Sequence, residues 1–151
     1  MKLDEWPGWS DWVRLHELDW SLVPQGPGTY MIAADGAIQR AIGADDEGIL
    51  DIGQSAMLRK RLRSFWQCAT GAQAAGHMAG WRFCYYQMGI HFSTDSLYVC
   101  WRRAETAAEA QEVEGWLIEE YVKQHLESPP LNYSASWRHL GQDAEPEVAD
   151  A

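Results

Sequence analysis

The sequence predicts an α+β fold, and three observations support this. Two apolar stretches rich in β-favouring side chains, Thr29–Ala34 and Ile49–Ile52, each carry a glycine at one end, Gly28 and Gly53. A third stretch, Leu97–Arg103, alternates Leu97, Val99 and Trp101 against Tyr98, Cys100 and Arg102, as a half-buried strand does. Two segments instead carry the helical period. Leu58, Leu62 and Phe65 share one face of Ala56–Ala69, with Cys68–Ala69 at its end; Val113, Trp116, Leu117, Tyr121 and Leu126 mark Ala107–Leu126.

The 151 residues suffice for one domain with a sizeable core. No stretch approaches the ~20 apolar residues of a membrane span. Met1-Lys2-Leu3-Asp4-Glu5 lacks the charged-then-apolar form of a signal peptide. Cys68, Cys84 and Cys100 are odd in number, far apart and without a C-x-x-C pair. Neither a zinc knuckle nor a redox pair is indicated, so free thiols in a reducing cytoplasm are expected, with no disulfide-linked partner and no membrane partner.

The N-terminal segment, residues 1–23, carries Trp6, Trp9, Trp12 and Trp20. Ser10 and the acids after it predict a short helix over Asp11–Leu18, with Trp12 and Leu15 inward, docked on the core. Buried packing is the commoner role for such tryptophans; base stacking is the rarer one. Pro24-Gln25-Gly26-Pro27 ends this extension and opens the domain proper, residues 24–140. Asp35-Gly36 reads as a two-residue hairpin turn with Ala37–Ile42 returning as a strand, followed by an acidic loop at 44–48. Thr70–Ala79 reads as a loop or loose helix. Trp81, Cys84, Tyr85 and Met88 fit a helix over 79–88, although Trp81, Phe83 and Tyr85 also alternate as in a strand. Pro129-Pro130 stops the last helix, and residues 141–151 are acidic, with Val148 the one large apolar side chain, so disorder is expected there.

The net charge of −10 argues against a polyanion-binding protein, but its distribution argues back. Residues 52–104 hold seven basic side chains and one acid, whereas both flanking segments are strongly acidic. Phosphate binding follows the local field. Arg59, Lys60, Arg61, Arg102 and Arg103 are expected to form one positive patch bordered by acids, with Arg63 beside them; the bland alternative is that Arg59, Lys60 and Arg63 are the wet face of a helix.

Gly28-Thr29-Tyr30, Asp51-Ile52-Gly53 and then Ser55, Leu58, Arg61 and Leu62 resemble the motifs of the GIY-YIG nuclease family, over roughly residues 24–134. The resemblance implies a small, mainly antiparallel three-stranded central sheet flanked by helices. It also implies a set of site residues. Tyr30 stands where the family has an active-site tyrosine, and Arg61 matches the arginine of the first helix. Glu114, opening Glu-Gly-Trp-Leu-Ile, resembles the metal-binding glutamate, and Asn132 in Pro-Pro-Leu-Asn matches the asparagine that closes the site. His77 in Gly76-His77-Met78-Ala79-Gly80 resembles a histidine element of some bacterial members. Three departures stand out: Asp51 replaces the tyrosine of the second motif, Phe65 occupies a place often held by His or Tyr, and the segment from Glu114 to Asn132 is longer than in repair-type members.

Phosphodiester hydrolysis needs a group that activates water, positive charge on the phosphorane and help for the leaving oxygen. The implied activity is a DNA endonuclease using one divalent cation, Mg²⁺ or Mn²⁺, on Glu114. Arg61 would lie on the phosphate, Tyr30 and His77 would handle protons, and Asn132 would fix the site. RNA as substrate and the oligomeric state stay open. Asp51 admits three readings: a proton relay, a ligand for a second cation, or the mark of a lost activity. The second function class is therefore an inactive module of the same fold that binds nucleic acid or protein through residues 52–104.

Overall fold

The computed structural model describes Met1 and residues 3–132. In chain order the elements are β1 (Val13–Arg14), β2 (Gly28–Ala33), β3 (Ile38–Gln39), β4 (Ala44–Asp45), β5 (Ile49–Ser55), α1 (Leu58–Ala69), α2 (Met78–Tyr85), β6 (Tyr98–Arg103) and α3 (Ala107–His125). The main sheet runs β1-β6-β2-β5 and is antiparallel throughout. β3 and β4 form a separate two-stranded ribbon. The described residues thus form an α+β fold with three α-helices, and their main sheet has four strands where three were expected.

β2 is the axis. Every residue from Gly28 to Ala33 is buried, because β5 and β6 flank it and both sheet faces are covered. Tyr30 and Ile32 point into a core with Leu58, Leu62 and Phe65 of α1 and Phe83 of α2. Met31 points the other way, with Ile49, Ile52 and Cys100, onto Val113, Leu117, Ile118 and Tyr121 of α3. Gly28 has a steric reason: a Cβ there would stand 2.7 Å from both the Arg102 carbonyl oxygen and a Leu58 methyl. The first turn of α1 lacks a side-chain cap. Its donors are met by the preceding loop, Leu58 N to Gly26 O at 3.0 Å and Arg59 N to Pro24 O at 3.0 Å, which places the helix start two residues after the expected Ala56.

The fourth strand replaces the expected helix over Asp11–Leu18. Val13 and Arg14 pair with Val99 and Tyr98, and Trp9 bridges to Arg102. Ser10 does not cap a helix: its N–H donates to Trp101 O at 2.8 Å and its Oγ accepts from Trp101 N at 3.0 Å. Only a three-residue 3₁₀ turn, Leu15–Glu17, remains of the helical expectation. The outer edge of β6 needed a partner, and that demand outweighed the local capping signal. The expected return strand at 37–42 is also displaced. Ala34 N bonds Gly48 O at 2.8 Å and the neighbouring edge of β2 is taken by β5, so the short β3 pairs with β4 instead.

α2 lies where a helix was expected but shows the opposite face. Ala79, Gly80, Arg82 and Phe83 are buried, whereas Trp81, Cys84 and Tyr85 are exposed. Gly80 sets this orientation: a Cβ there would stand 2.6 Å from Phe65 O and 2.9 Å from Cys68 Cβ, so α1 and α2 touch through it. Cys68, Cys84 and Cys100 are free thiols, and no helix of the described residues is long and apolar enough to cross a membrane. The tail from residue 141 and the end of the domain beyond Asn132 lie outside the described residues.

Candidate active site

α1, α2, α3 and the edge strand β5 meet around a cleft of about 390 Å³. Tyr30, Asp51, Arg61, His77, Glu114 and Asn132 all line it. The six positions singled out in the sequence, spread over the whole domain, therefore come together on one concave surface.

Each is held by its own element. Tyr30 lies opposite Gly53 in the β2–β5 register. A Cβ at Gly53 would run into the Tyr30 phenol, so glycine there lets the ring lie across the neighbouring strand. The Tyr30 hydroxyl donates to Asp51 Oδ2 at 3.2 Å and meets His77 Nε2 at 2.8 Å. His77 is also the N-cap of α2, where its Nδ1 accepts from Gly80 N at 3.3 Å. An Nδ1 that accepts leaves the ring proton on Nε2. The direction of the chain follows: His77 Nε2–H donates to the Tyr30 oxygen, and Tyr30 O–H donates to Asp51. Phe65, one of the three departures from the resemblance, packs edge-on against His77 with ring centroids 5.2 Å apart.

Asn132 acts as a one-residue strand. Its Oδ1 accepts from Ile52 N at 2.8 Å and its Nδ2 donates to Ile52 O at 2.7 Å, which closes the free edge of β5 between Asp51 and Gly53. Glu114 sits among Ala110, Val113, Leu117, Ile118 and Tyr121 on the buried stripe of α3. Among the described residues, none donates a hydrogen bond to its carboxylate. Arg61 Nε is buried and also lacks a partner among the described residues.

The electrostatics follow from burial. Asp51 is raised to about 6, chiefly by burial, against the opposing pull of the Tyr30 hydrogen bond, Arg61 and Arg82. Glu114 is raised to about 8 by burial and then by the Asp51 charge, with Arg61 opposing. Burial, then Arg61 and Arg82, lowers His77 to about 3, so its ring is neutral at physiological pH. Burial and the Asp51 charge push the Tyr30 phenol well above its usual value. Tyr30 is thus a hydrogen-bond donor rather than a base, and Asp51 and Glu114 are the cleft acids that ionise around neutrality, Asp51 first.

Two liners escaped the sequence reading. Arg82 is buried, donates to Leu131 O and lies close enough to Asp51 and His77 to shift both. Its signal was a lone arginine beside apolar neighbours, hidden by the stronger aromatic stripe of the same helix. Gln54, the residue after Gly53, also lines the cleft.

The expected basic patch is divided. Arg59, Lys60 and Arg63 share a surface groove along α1, and Arg59 and Arg103 border a second one. Arg59 also donates to Val23 O and Ser21 O, tying the N-terminal segment to α1. Arg63 lies over the Trp20 ring at 5.5 Å. Arg102 does not belong to the patch: it pairs with Glu109 at 2.7 Å, donates to Pro7 O and is covered by Trp6.

No protein-family model, curated protein or solved structure matches this chain. Whether a cation suits the cleft is decided by its donors. No group of three or more His, Cys, Asp or Glu side chains suited to a metal ion occurs among the described residues. Two carboxylates in one cleft, each raised by burial and one further raised by the other, fit a hard cation that keeps most of its water. They do not fit zinc, which calls for a nitrogen- or sulfur-rich set.

Proposed function

We propose that this protein is a divalent-metal-dependent endonuclease that hydrolyses phosphodiester bonds in DNA, on a GIY-YIG-like catalytic domain. One observation carries the reading: Tyr30, Asp51, Arg61, His77, Glu114 and Asn132 line a single cleft. A binding surface alone has no use for two buried carboxylates beside Arg61.

The geometry supports the following roles. Arg61 offers a planar donor set to the non-bridging oxygens of the scissile phosphate. Asp51, ionised above about pH 6, takes a proton from the attacking water as its oxygen bonds to phosphorus and the bond to the leaving oxygen breaks. Tyr30 orients the Asp51 carboxylate and is itself held by His77. Asn132 fixes the strand that carries Asp51. Glu114 would hold Mg²⁺ or Mn²⁺ in the cleft it shares with Asp51. That cation, when bound, supplies positive charge against the leaving oxygen.

A second reading is favoured by Asp51 itself. The residue stands in place of a tyrosine, so the cleft of an inactive nucleic-acid- or protein-binding module is the alternative. Incubation with supercoiled plasmid in Mg²⁺ or Mn²⁺ separates the two. The parent nicks the plasmid, and Glu114→Gln lowers cleavage at least ~100-fold while affinity for DNA stays equal or rises, because a negative charge has left the cleft. Glu120→Gln, on the same helix, cuts like the parent. Equal cutting by both variants would remove Glu114 from the site; a parent that binds but never cuts would leave the inactive module.

A further inference from the structure

The outward face of α2 carries large apolar side chains that stay exposed; Tyr85 also meets Tyr86 edge-on with ring centroids 5.4 Å apart. Trp81 and Tyr85, one turn apart, stack with ring centroids 4.7 Å apart and planes 12° from parallel. Tyr85 is 65% exposed, Trp81 36% and Met78 58%. An aromatic pair of this kind, left in water on a helix whose other face is well packed, is unusual enough to ask what covers it.

Its position answers part of that question. Met78, Trp81 and Tyr85 follow at i, i+3 and i+7 and form one stripe. The adjacent stripe, Ala79 and Arg82, lines the cleft, and Met78 lines it as well. The aromatic stack is therefore continuous with the cleft, on its α2 rim. Inside the cleft, Arg61 and Arg82 supply positive charge; on the rim, two rings supply flat apolar faces with no charge between them. Cations flanked by bare ring faces suit a chain of phosphates that carries flat bases.

We propose that the Trp81–Tyr85 stack is a nucleobase platform: an unpaired base of the substrate strand stacks on it while the neighbouring phosphate enters the cleft. The inference rests on the endonuclease reading and deepens it, because it specifies the substrate class. Bases within a duplex have both faces occupied by their neighbours and cannot reach such a platform. Single strands, flaps and frayed ends present a free face, and stacking of this kind is worth ~1–3 kcal/mol per base, roughly 5- to 150-fold in affinity. The substrate is therefore nucleic acid with unpaired nucleotides next to the cut.

The test measures binding of full-length protein by fluorescence anisotropy, with chelator present so that nothing is cut. The probes are labelled oligothymidylate, oligouridylate, a blunt duplex and an abasic oligonucleotide of equal length. The parent binds the single strands more tightly than the duplex. Trp81→Ala and Tyr85→Ala each weaken single-strand binding about 10-fold, Trp81→Phe keeps most of it, and all three leave abasic and duplex binding within about 2-fold. The two base-bearing single strands separate DNA from RNA preference. Far-ultraviolet circular dichroism identical to the parent confirms the fold of these surface variants. Equal single-strand binding by the parent and both alanine variants would overturn the platform and leave the endonuclease reading standing. So would a concentration-dependent dimer lost in Trp81→Ala, which would assign the face to a second copy of the chain. Base-dependent binding by a parent that, with Mg²⁺ or Mn²⁺ supplied, cuts neither plasmid nor the labelled single strands would keep the platform and remove the hydrolytic reading instead.

Discussion

Tyr30 and Tyr121 each donate a hydrogen bond to a buried aspartate, at 3.2 Å to Asp51 and 3.0 Å to Asp45. The two pairs sit in opposite surroundings. Asp45 also accepts from Ile49 N at 2.8 Å and Glu47 N at 3.0 Å, so its carboxylate is fixed by backbone donors and closes the turn into β5. Asp51 receives no backbone donor among the described residues; it faces a cleft shared with Arg61, Arg82 and Glu114. One aspartate is consumed by the fold. The other is held at one oxygen by Tyr30 and keeps capacity for something that enters the cleft. A buried polar group that the fold does not satisfy is a candidate for chemistry.

The widest separation between the pairs is in activity. Asp51→Asn is expected to lower plasmid cleavage by about 100- to 10,000-fold, the usual range for a proton-transfer group. Asp45→Asn is expected to leave the rate within about 2-fold under conditions where the variant is folded. The comparison breaks if both variants cut equally well, for then Asp51 is no more catalytic than Asp45.

Stability should invert the order. Asp45→Asn replaces an acceptor-only group facing three donors, and an urea titration should show a loss of about 2–3 kcal/mol. Tyr121→Phe removes one of those donors and should cost about 1 kcal/mol. Asp51→Asn removes a charge that burial already disfavours, so the variant should be as stable as the parent or more so. A loss at Asp51 equal to that at Asp45 would make both pairs structural.

Much of this distinction was visible in the residues, and the rest was not for identifiable reasons. β2 and β5 could be read because their apolar runs end in glycines that have steric work: Gly28 against Leu58 and Arg102, Gly53 beneath Tyr30. Glu114 was marked by the resemblance of Glu-Gly-Trp-Leu-Ile to a family segment; its place on the buried stripe of α3 shows only in the folded chain. The N-terminal strand could not be read, since Ser10 and its acids are a sound local signal for a helix. Only the pairing demand of β6, distant in sequence, explains why Val13 and Arg14 are extended. α2 misled in a different way. Its most hydrophobic stripe, Trp81 and Tyr85, is outside, because Gly80 must face Phe65 and Arg82 must reach Leu131 O. The inversion is a contact constraint with no periodic trace. His77 combines two duties, helix cap and Tyr30 partner, which meet only in the folded chain, where an Nδ1 that accepts from Gly80 N leaves Nε2 to donate.

The smallest expected effect isolates Glu114 by pH in metal-free protein. A carboxyl whose folded value is raised holds its proton after the unfolded chain has released it, so stability falls as pH rises between the two values. For Asp51 that window runs from 3.8 to about 6, and for Glu114 from 4.5 to about 8. His77 has the opposite sign. Its folded value of about 3 lies below 6.5, so its contribution is lost as pH falls through that interval and partly masks the carboxyls there. From pH 6.5 to 8, the last ionisation of Asp51 and the last deprotonation of His77 in the unfolded chain are small and opposite in sign, and Glu114 is the cleft group that dominates the titration. The unfolding free energy of the parent should therefore decline by on the order of 1 kcal/mol across that interval in chelator. Glu114→Gln should flatten the decline and Glu120→Gln should keep it. Added Mn²⁺ should flatten it as well if the ionised carboxylate is what the cation holds. A parent already flat from pH 6.5 to 8 would mean that Glu114 is ionised throughout, and the contrast between a satisfied Asp45 and an unsatisfied pair of cleft acids would then rest on Asp51 alone.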